Sequence, residues 1–211
     1  MIHPDVLRLY LVASPDNRPN GDLVEVVEST ILAGVTCIQL RWKSATDRAV
    51  LEIGSAILRV TQRAGIPLII NDRLDLALAL GADGVHLGVD DLPIDDARRI
   101  AGPDFIIGFS PESDDQIVRA DQHASYLGIG PFFSTATKHD AGRALGLIEF
   151  ARRRALTTLP TVAIGGISGD NAAQPIAAGA NGIAVVSAIL SMADPVEATR
   201  DLIRALPPRA T

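Results

Sequence analysis

The chain has almost no cysteine, no surplus of basic charge and no long apolar run, and each shortage removes a class of function. Its single cysteine, Cys37, has no partner for an internal disulfide and rules out a cysteine-rich metal centre. A lone thiol fits a reducing compartment. With 19 lysines and arginines against 25 aspartates and glutamates, the net charge is -6, which argues against nucleic acid or an acidic membrane surface as the main partner. Any anionic ligand must then be met by a few placed bases. No apolar stretch reaches the roughly 18 to 20 residues that cross a bilayer, and Met1 to Asp5 show no basic segment leading into an apolar signal core. The expectation is a cytoplasmic protein with no membrane partner.

What is present is 211 residues, 47% of them hydrophobic, enough for one large core and short for two ordinary domains. Residues 1–211 are therefore expected to form one domain, and no linker or low-complexity segment interrupts them. Short apolar runs alternate with stretches of helical periodicity. The runs are Leu7 to Ala13, Val35 to Leu40, Leu68 to Ile70, Gly84 to Leu87, Phe105 to Phe109, Ser125 to Ile129, Thr161 to Ile164 and Ile183 to Val186. The helices between and after them are predicted over Leu23 to Ala33, Asp47 to Ala64, Leu74 to Leu80, Ile94 to Ile100, Asp114 to Ala120, Leu147 to Ala155, Asp170 to Ala178 and Pro195 to Leu206. Eight strands without polar alternation, each followed by a helix, give the pattern of a parallel (β/α)₈ TIM barrel, with a doubly wound open sheet as the rival. Gly81-Ala82-Asp83-Gly84 and Gly179-Ala180-Asn181-Gly182 repeat one helix-to-strand turn and favour the barrel.

Parallel strands joined by helices carry their last residues to one edge, so Asp72, after the third run, and Asp91, after the fourth, are expected to meet. Two carboxylates beside Asn71 suit Mg²⁺, which takes few protein oxygens and leaves its other positions to water and phosphate. Alternatively, Asp72 caps the next helix and Asp91 or Asp95 the one after. Gln39, Arg41 and Lys43 share one parity on the second strand, and in a barrel their place is the mouth, where Arg and Lys make a local anion site in an acidic protein. The sixth loop, Gly130 to Lys138, carries three hydroxyls and a lysine. Gly165-Gly166 and Val185-Val186-Ser187 end the last two strands, where barrels commonly hold phosphate on backbone N–H groups, although tight strand-helix packing explains the glycines equally well. Two anion sites at one mouth point to two phosphorylated small-molecule substrates. His86, within a strand, reads as structural, His3, His123 and His139 offer no constellation, and Cys37 reads as a small apolar filler.

These residues resemble a known family. Gln39-x-Arg41-x-Lys43, Asn71-Asp72-Arg73, Ala82 to Gly88 with Asp91-Leu92-Pro93, Gly108-x-Ser110, Gly128-x-Gly130-Pro131, Thr135-x-Thr137-Lys138, Ala163 to Ile167 and Val186 to Ile189 are together similar to thiamine phosphate synthases, in order and spacing over nearly the whole chain. The resemblance implies a transferase that joins 4-amino-2-methyl-5-hydroxymethylpyrimidine diphosphate to a thiazole phosphate, giving thiamine phosphate and pyrophosphate. It implies that Gln39, Arg41, Lys43, Asn71, Ser110 and Lys138 hold the pyrimidine diphosphate, and that Asp72 and Asp91 hold Mg²⁺. Thr135, Thr137, Gly166, Val186 and Ser187 would hold the thiazole phosphate. Arg41 and Lys138 would act on charge developing in the leaving group, and Ser110 either bonds the pyrophosphate or helps shift a proton on the ring amine. A homodimer is a further implication. The chain departs from the family's usual pattern at Val89, Phe109, Pro111, Glu112 and Ser134, which bears on the shape of the pyrimidine pocket. The competing readings are a thiazole tautomerase-like isomerase and a non-catalytic sensor of phosphorylated ligands.

Overall fold

The structure, a computed structural model, describes residues 2–17, 22–135 and 142–208. Its elements in chain order are β1 (Leu9–Ala13), α1 (Leu23–Ala33), β2 (Cys37–Leu40), α2 (Asp47–Ala64), β3 (Leu68–Asn71), α3 (Leu74–Leu80), β4 (Gly84–Leu87), α4 (Ile94–Ala101), β5 (Ile106–Phe109), α5 (Asp114–Ala120), β6 (Tyr126–Ile129), α6 (Gly146–Arg154), β7 (Thr161–Ile164), α7 (Ala173–Ala177), β8 (Gly182–Val185), α8 (Ser187–Leu190) and α9 (Pro195–Ala205). Every strand pairs in parallel with its sequence neighbours, and β8 returns to β1 with Leu9 opposite Ile183 and Leu11 opposite Val185. That last pairing closes the barrel and excludes the open sheet.

Alternation along the strands divides the apolar residues into two cores. One parity, with Leu9, Leu11, Ile38, Leu40, Leu68, Ile70, Val85 and Leu127, packs under the helices as the large outer core. The other parity, with Tyr10, Val12, Cys37, Ile69, Tyr126, Val162 and Ala184, forms a smaller cluster along the barrel axis. Leu7 and Ile2 join that inner cluster, so the 3-10 turn Pro4–Leu7 closes the amino end of the barrel. The first strand accordingly begins at Leu9 rather than Leu7.

The helix stops lie where glycine allows a left-handed residue. Gly65 and Gly81 end α2 and α3 at φ 69° and 70°, and their N–H groups bond back into the last turn. Two elements differ from expectation. α7 covers only Ala173–Ala177 because the preceding residues form a side-chain turn: Ser168 N–H donates to Asn171 Oδ1 at 2.9 Å and Asn171 N–H to the Ser168 carbonyl at 3.2 Å. The short α8, Ser187–Leu190, was not expected, since four residues carry too little periodicity to read.

Candidate active site

The carboxyl ends of the strands gather the described residues singled out from the sequence. Gln39 lies inside β2, and Arg41 follows the strand with its N–H donating to the Ala13 carbonyl at 2.9 Å. Lys43 lies in the next turn and reaches β3, where its Nζ is 3.0 Å from Asp72 Oδ2. Asn71 ends β3 in register with His86 of β4. Asp72 then takes a left-handed backbone, φ 62°, while its N–H donates to the His86 carbonyl at 2.8 Å. That conformation is tolerated by aspartate better than by most side chains.

The capping alternative fails at both aspartates. α3 has Arg73 at its N-cap and α4 has Pro93, in each case without a side-chain cap bond. Asp91 instead folds back on the end of β4, where its Oδ2 accepts from Gly88 N–H at 2.6 Å. Its carboxyl is held above the ordinary carboxylate range, first by burial and then by the charge of Asp72 and a hydrogen bond to it, against the opposing pull of Gly88 N–H and Lys43. Asp72 and Asp91 therefore stand in contact, with Lys43 beside them.

Two hard-oxygen ligands side by side fit Mg²⁺, and among the described residues no group of three or more His, Cys, Asp or Glu side chains forms a closed metal cage. An ion held here would keep most positions for water or substrate oxygens.

Ser110 follows β5, and its N–H donates to the Leu87 carbonyl at 2.9 Å. Its Oγ lies 2.8 Å from His86 Nε2, and His86 Nδ1 lies 3.0 Å from the Tyr126 hydroxyl. His86, read from the sequence as structural, is thus hydrogen-bonded to a candidate site residue. Burial pulls its pKa down to about 4, against the opposing charge of Asp72. The imidazole is neutral near pH 7. Tyr126 in turn lies 2.7 Å from the Tyr10 hydroxyl, which accepts from Gln39 Nε2 at 2.8 Å. Tyr10 and Tyr126 did not figure among the expected site residues. The signal available for them was parity alone, since Tyr126 shares its side of β6 with Gly128.

On the opposite side of the mouth, the loops after β6 and β7 are laced together. Phe132 N–H donates to the Ile164 carbonyl at 2.8 Å and Phe133 N–H to the Gly165 carbonyl at 3.0 Å. Gly166 sits at φ 66°, and a methyl there would come within 2.7 Å of Phe133 Cβ. The close approach favours glycine for a steric reason and sets the Ser134 carbonyl, in the residue before Thr135, against the β7 end. Val186 precedes α8 and Ser187 opens it. Thr137 and Lys138 lie outside the described residues.

Two of the altered positions turn away from the interior: Val89 and Phe109 both pack with the outer core beneath the helices. Pro111 is buried, and Glu112 and Ser134 are exposed.

The sequence pattern of thiamine monophosphate synthases matches residues 9–189. The chain is 46% identical over 203 residues to a thiamine-phosphate synthase of Azorhizobium caulinodans, covering 96% of each protein. It is 46% identical over 201 residues to one of Natronomonas pharaonis, covering 94% of each. Among solved structures it superposes on a thiamine phosphate pyrophosphorylase from Pyrococcus furiosus with a TM-score of 0.86 and 37% identity, covering 96% of both chains.

Proposed function

This chain belongs to the thiamine monophosphate synthase family, and from that premise we propose that its barrel mouth joins 4-amino-2-methyl-5-hydroxymethylpyrimidine diphosphate to a thiazole phosphate, releasing pyrophosphate. It is a transferase of thiamine biosynthesis. Neither the isomerase nor the sensor reading gains support, because relatives that share 46% of their residues across almost the full length carry the synthase name.

The observation that carries the proposal is Lys43 set 3.0 Å from Asp72, with Asp91 in contact behind it. In this reading Asp72 and Asp91 hold Mg²⁺, which when bound would neutralise charge on the diphosphate. Lys43, Arg41 and Lys138 meet the remaining charge as the bond to pyrophosphate lengthens. Departure of the diphosphate leaves a pyrimidinylmethyl cation supported by the ring amine, so no histidine base is needed. Gln39, Asn71 and Ser110 orient the pyrimidine. Thr135, Thr137, Gly166, Val186 and Ser187 hold the second substrate by its phosphate, so that the thiazole nitrogen stands in line with the departing group. The proposal extends to a cytoplasmic homodimer, a location that suits the free, buried Cys37.

The test is pyrophosphate release from the purified protein given both substrates, each substrate alone, and both without divalent metal. Release only when both substrates and Mg²⁺ are present is the expected result. No release from folded protein under any divalent metal would overturn the assignment.

A further inference from the structure

Five side chains, four from strands β1, β2, β4 and β6 and one from the residue after β5, form a continuous hydrogen-bond chain inside the barrel. Gln39 Nε2 donates to the Tyr10 hydroxyl at 2.8 Å, Tyr10 and Tyr126 hydroxyls lie 2.7 Å apart, Tyr126 and His86 Nδ1 3.0 Å, and His86 Nε2 and Ser110 Oγ 2.8 Å. Two glycines make the room. A methyl at Gly108 would strike the Tyr126 ring and His86 Nδ1, and one at Gly128 would come within 3.1 Å of His86 Cε1 and 3.2 Å of Ser110 Oγ.

We propose that Tyr10 and Tyr126 are positioning residues for the pyrimidine substrate: the chain they complete runs in one direction, fixes the tautomer of His86, and sets Ser110 as a donor toward the mouth. The part concerning substrate rests on the function proposed above, whereas the direction of the chain rests on the hydrogen-bond geometry together with donation from Tyr10 to Tyr126.

The direction follows from counting protons. A primary amide nitrogen can only donate, so Tyr10 oxygen accepts from Gln39, and in the proposed chain the one proton on Tyr10 goes to Tyr126 oxygen rather than to the neighbouring Cys37 thiol. Tyr126 oxygen, having accepted, passes its own proton to His86 Nδ1. A neutral imidazole that accepts at Nδ1 carries its proton on Nε2, which donates to Ser110 Oγ. The Ser110 proton is then left over for an acceptor outside the chain, and Gln39 has its carbonyl oxygen remaining. One end offers an acceptor and the other a donor. A pyrimidine that bears an amine beside ring nitrogens presents groups of both kinds. In the reversed chain Ser110 would donate to His86 and act as an acceptor, which is the arrangement for taking up a proton. The proposed orientation would exclude that role for Ser110.

The experiment is nitrogen-15 NMR of the histidine side chains, with His86 identified by the signal lost in His86→Gln. The unaltered protein is expected to show His86 as the Nε2–H tautomer, and Tyr126→Phe to show a mixture of tautomers. Loss of one such bond should raise KM for the pyrimidine diphosphate about tenfold, and KM for the thiazole phosphate by less than about twofold. Tyr10→Phe, which leaves Tyr126 able to donate, should give a smaller change of the same kind. An Nδ1–H tautomer in the unaltered protein overturns the proposal whether or not any variant folds. So does a Tyr126→Phe protein that keeps the Nε2–H tautomer, or one whose tautomer has moved with no rise in KM for the pyrimidine diphosphate. Absence of turnover in the unaltered chain counts against the function proposed above and leaves the direction of the chain to be read from the spectrum.

Discussion

Lys43 and Asp72 join the ends of β2 and β3, with Nζ 3.0 Å from Oδ2, the lysine side chain 56% and the aspartate 23% exposed. A pair this open to solvent contributes at most about 1 kcal/mol to folding. Its removal should therefore separate function from stability. Alanine at φ 62° would add backbone strain, but asparagine accepts the left-handed region and keeps the shape of the side chain. Asp72→Asn is expected to lower Mg²⁺-dependent pyrophosphate release at least about 100-fold while the thermal midpoint moves by only a few degrees. Undiminished release would remove Asp72 from the metal site.

His86 should leave its mark on the pH dependence of stability. Its folded pKa is near 4, below the ordinary value of 6.5, so the unfolded chain takes up a proton in a range where the folded chain does not. Stability from the neutral imidazole is complete above about pH 6.5 and falls as the pH drops toward 4, with a slope of at most about 1.4 kcal/mol per pH unit. Urea unfolding at pH 7 and pH 5 should show a loss that is clearly smaller in His86→Gln. Equal losses in the two proteins would mean that this ring does not titrate as its burial requires.

Lys138 is assigned from family resemblance alone, since it lies outside the described residues. A lysine that meets charge only as the leaving group departs contributes more to the transition state than to the bound substrate. Lys138→Ala should therefore lower kcat by at least about tenfold with KM for the pyrimidine diphosphate changed much less. A raised KM with kcat intact would assign the lysine to ordinary binding.

The barrel was legible because each strand is an apolar run with glycine stops at Gly34, Gly65 and Gly81 marking the helix ends, features local to a few residues. The meeting of Asp72 with Asp91 was legible for the same reason, being one strand-helix-strand unit apart. The Tyr10–Tyr126 contact was not, because the two are 116 positions apart and which residues of β1 and β6 stand level depends on the stagger of the whole barrel. The hydrogen-bond partners of His86 were hidden on the same ground. Its neighbours Tyr126, on β6, and Ser110, just past β5, belong to other units of the barrel, and nothing within Gly84 to Leu87 announces them. Register, a property of the closed sheet, was the missing quantity.

Gly166 and Gly65 together separate backbone strain from close approach. Both are left-handed, at φ 66° and 69°, but a methyl on Gly65 would meet no heavy atom within 4 Å, whereas one on Gly166 would lie 2.7 Å from Phe133 Cβ and 2.5 Å from the Ser134 carbonyl oxygen. Alanine at either position costs about 1 to 2 kcal/mol for its backbone angle. At Gly166 it must also push apart the β6 and β7 loops, which Phe133 N–H and the Gly165 carbonyl hold at 3.0 Å, and disturb the carbonyl of residue 166 that accepts from Asn171 Nδ2 at 3.0 Å. Gly65→Ala should thus lower the thermal midpoint by a few degrees with unaltered kinetics. Gly166→Ala should lower it further and raise KM for the thiazole phosphate at least about tenfold, about 1.4 kcal/mol of lost binding, with KM for the pyrimidine diphosphate little changed. If both variants lose the same stability and neither shifts KM for the thiazole phosphate, the β7 glycine serves only chain packing and the second phosphate is bound elsewhere.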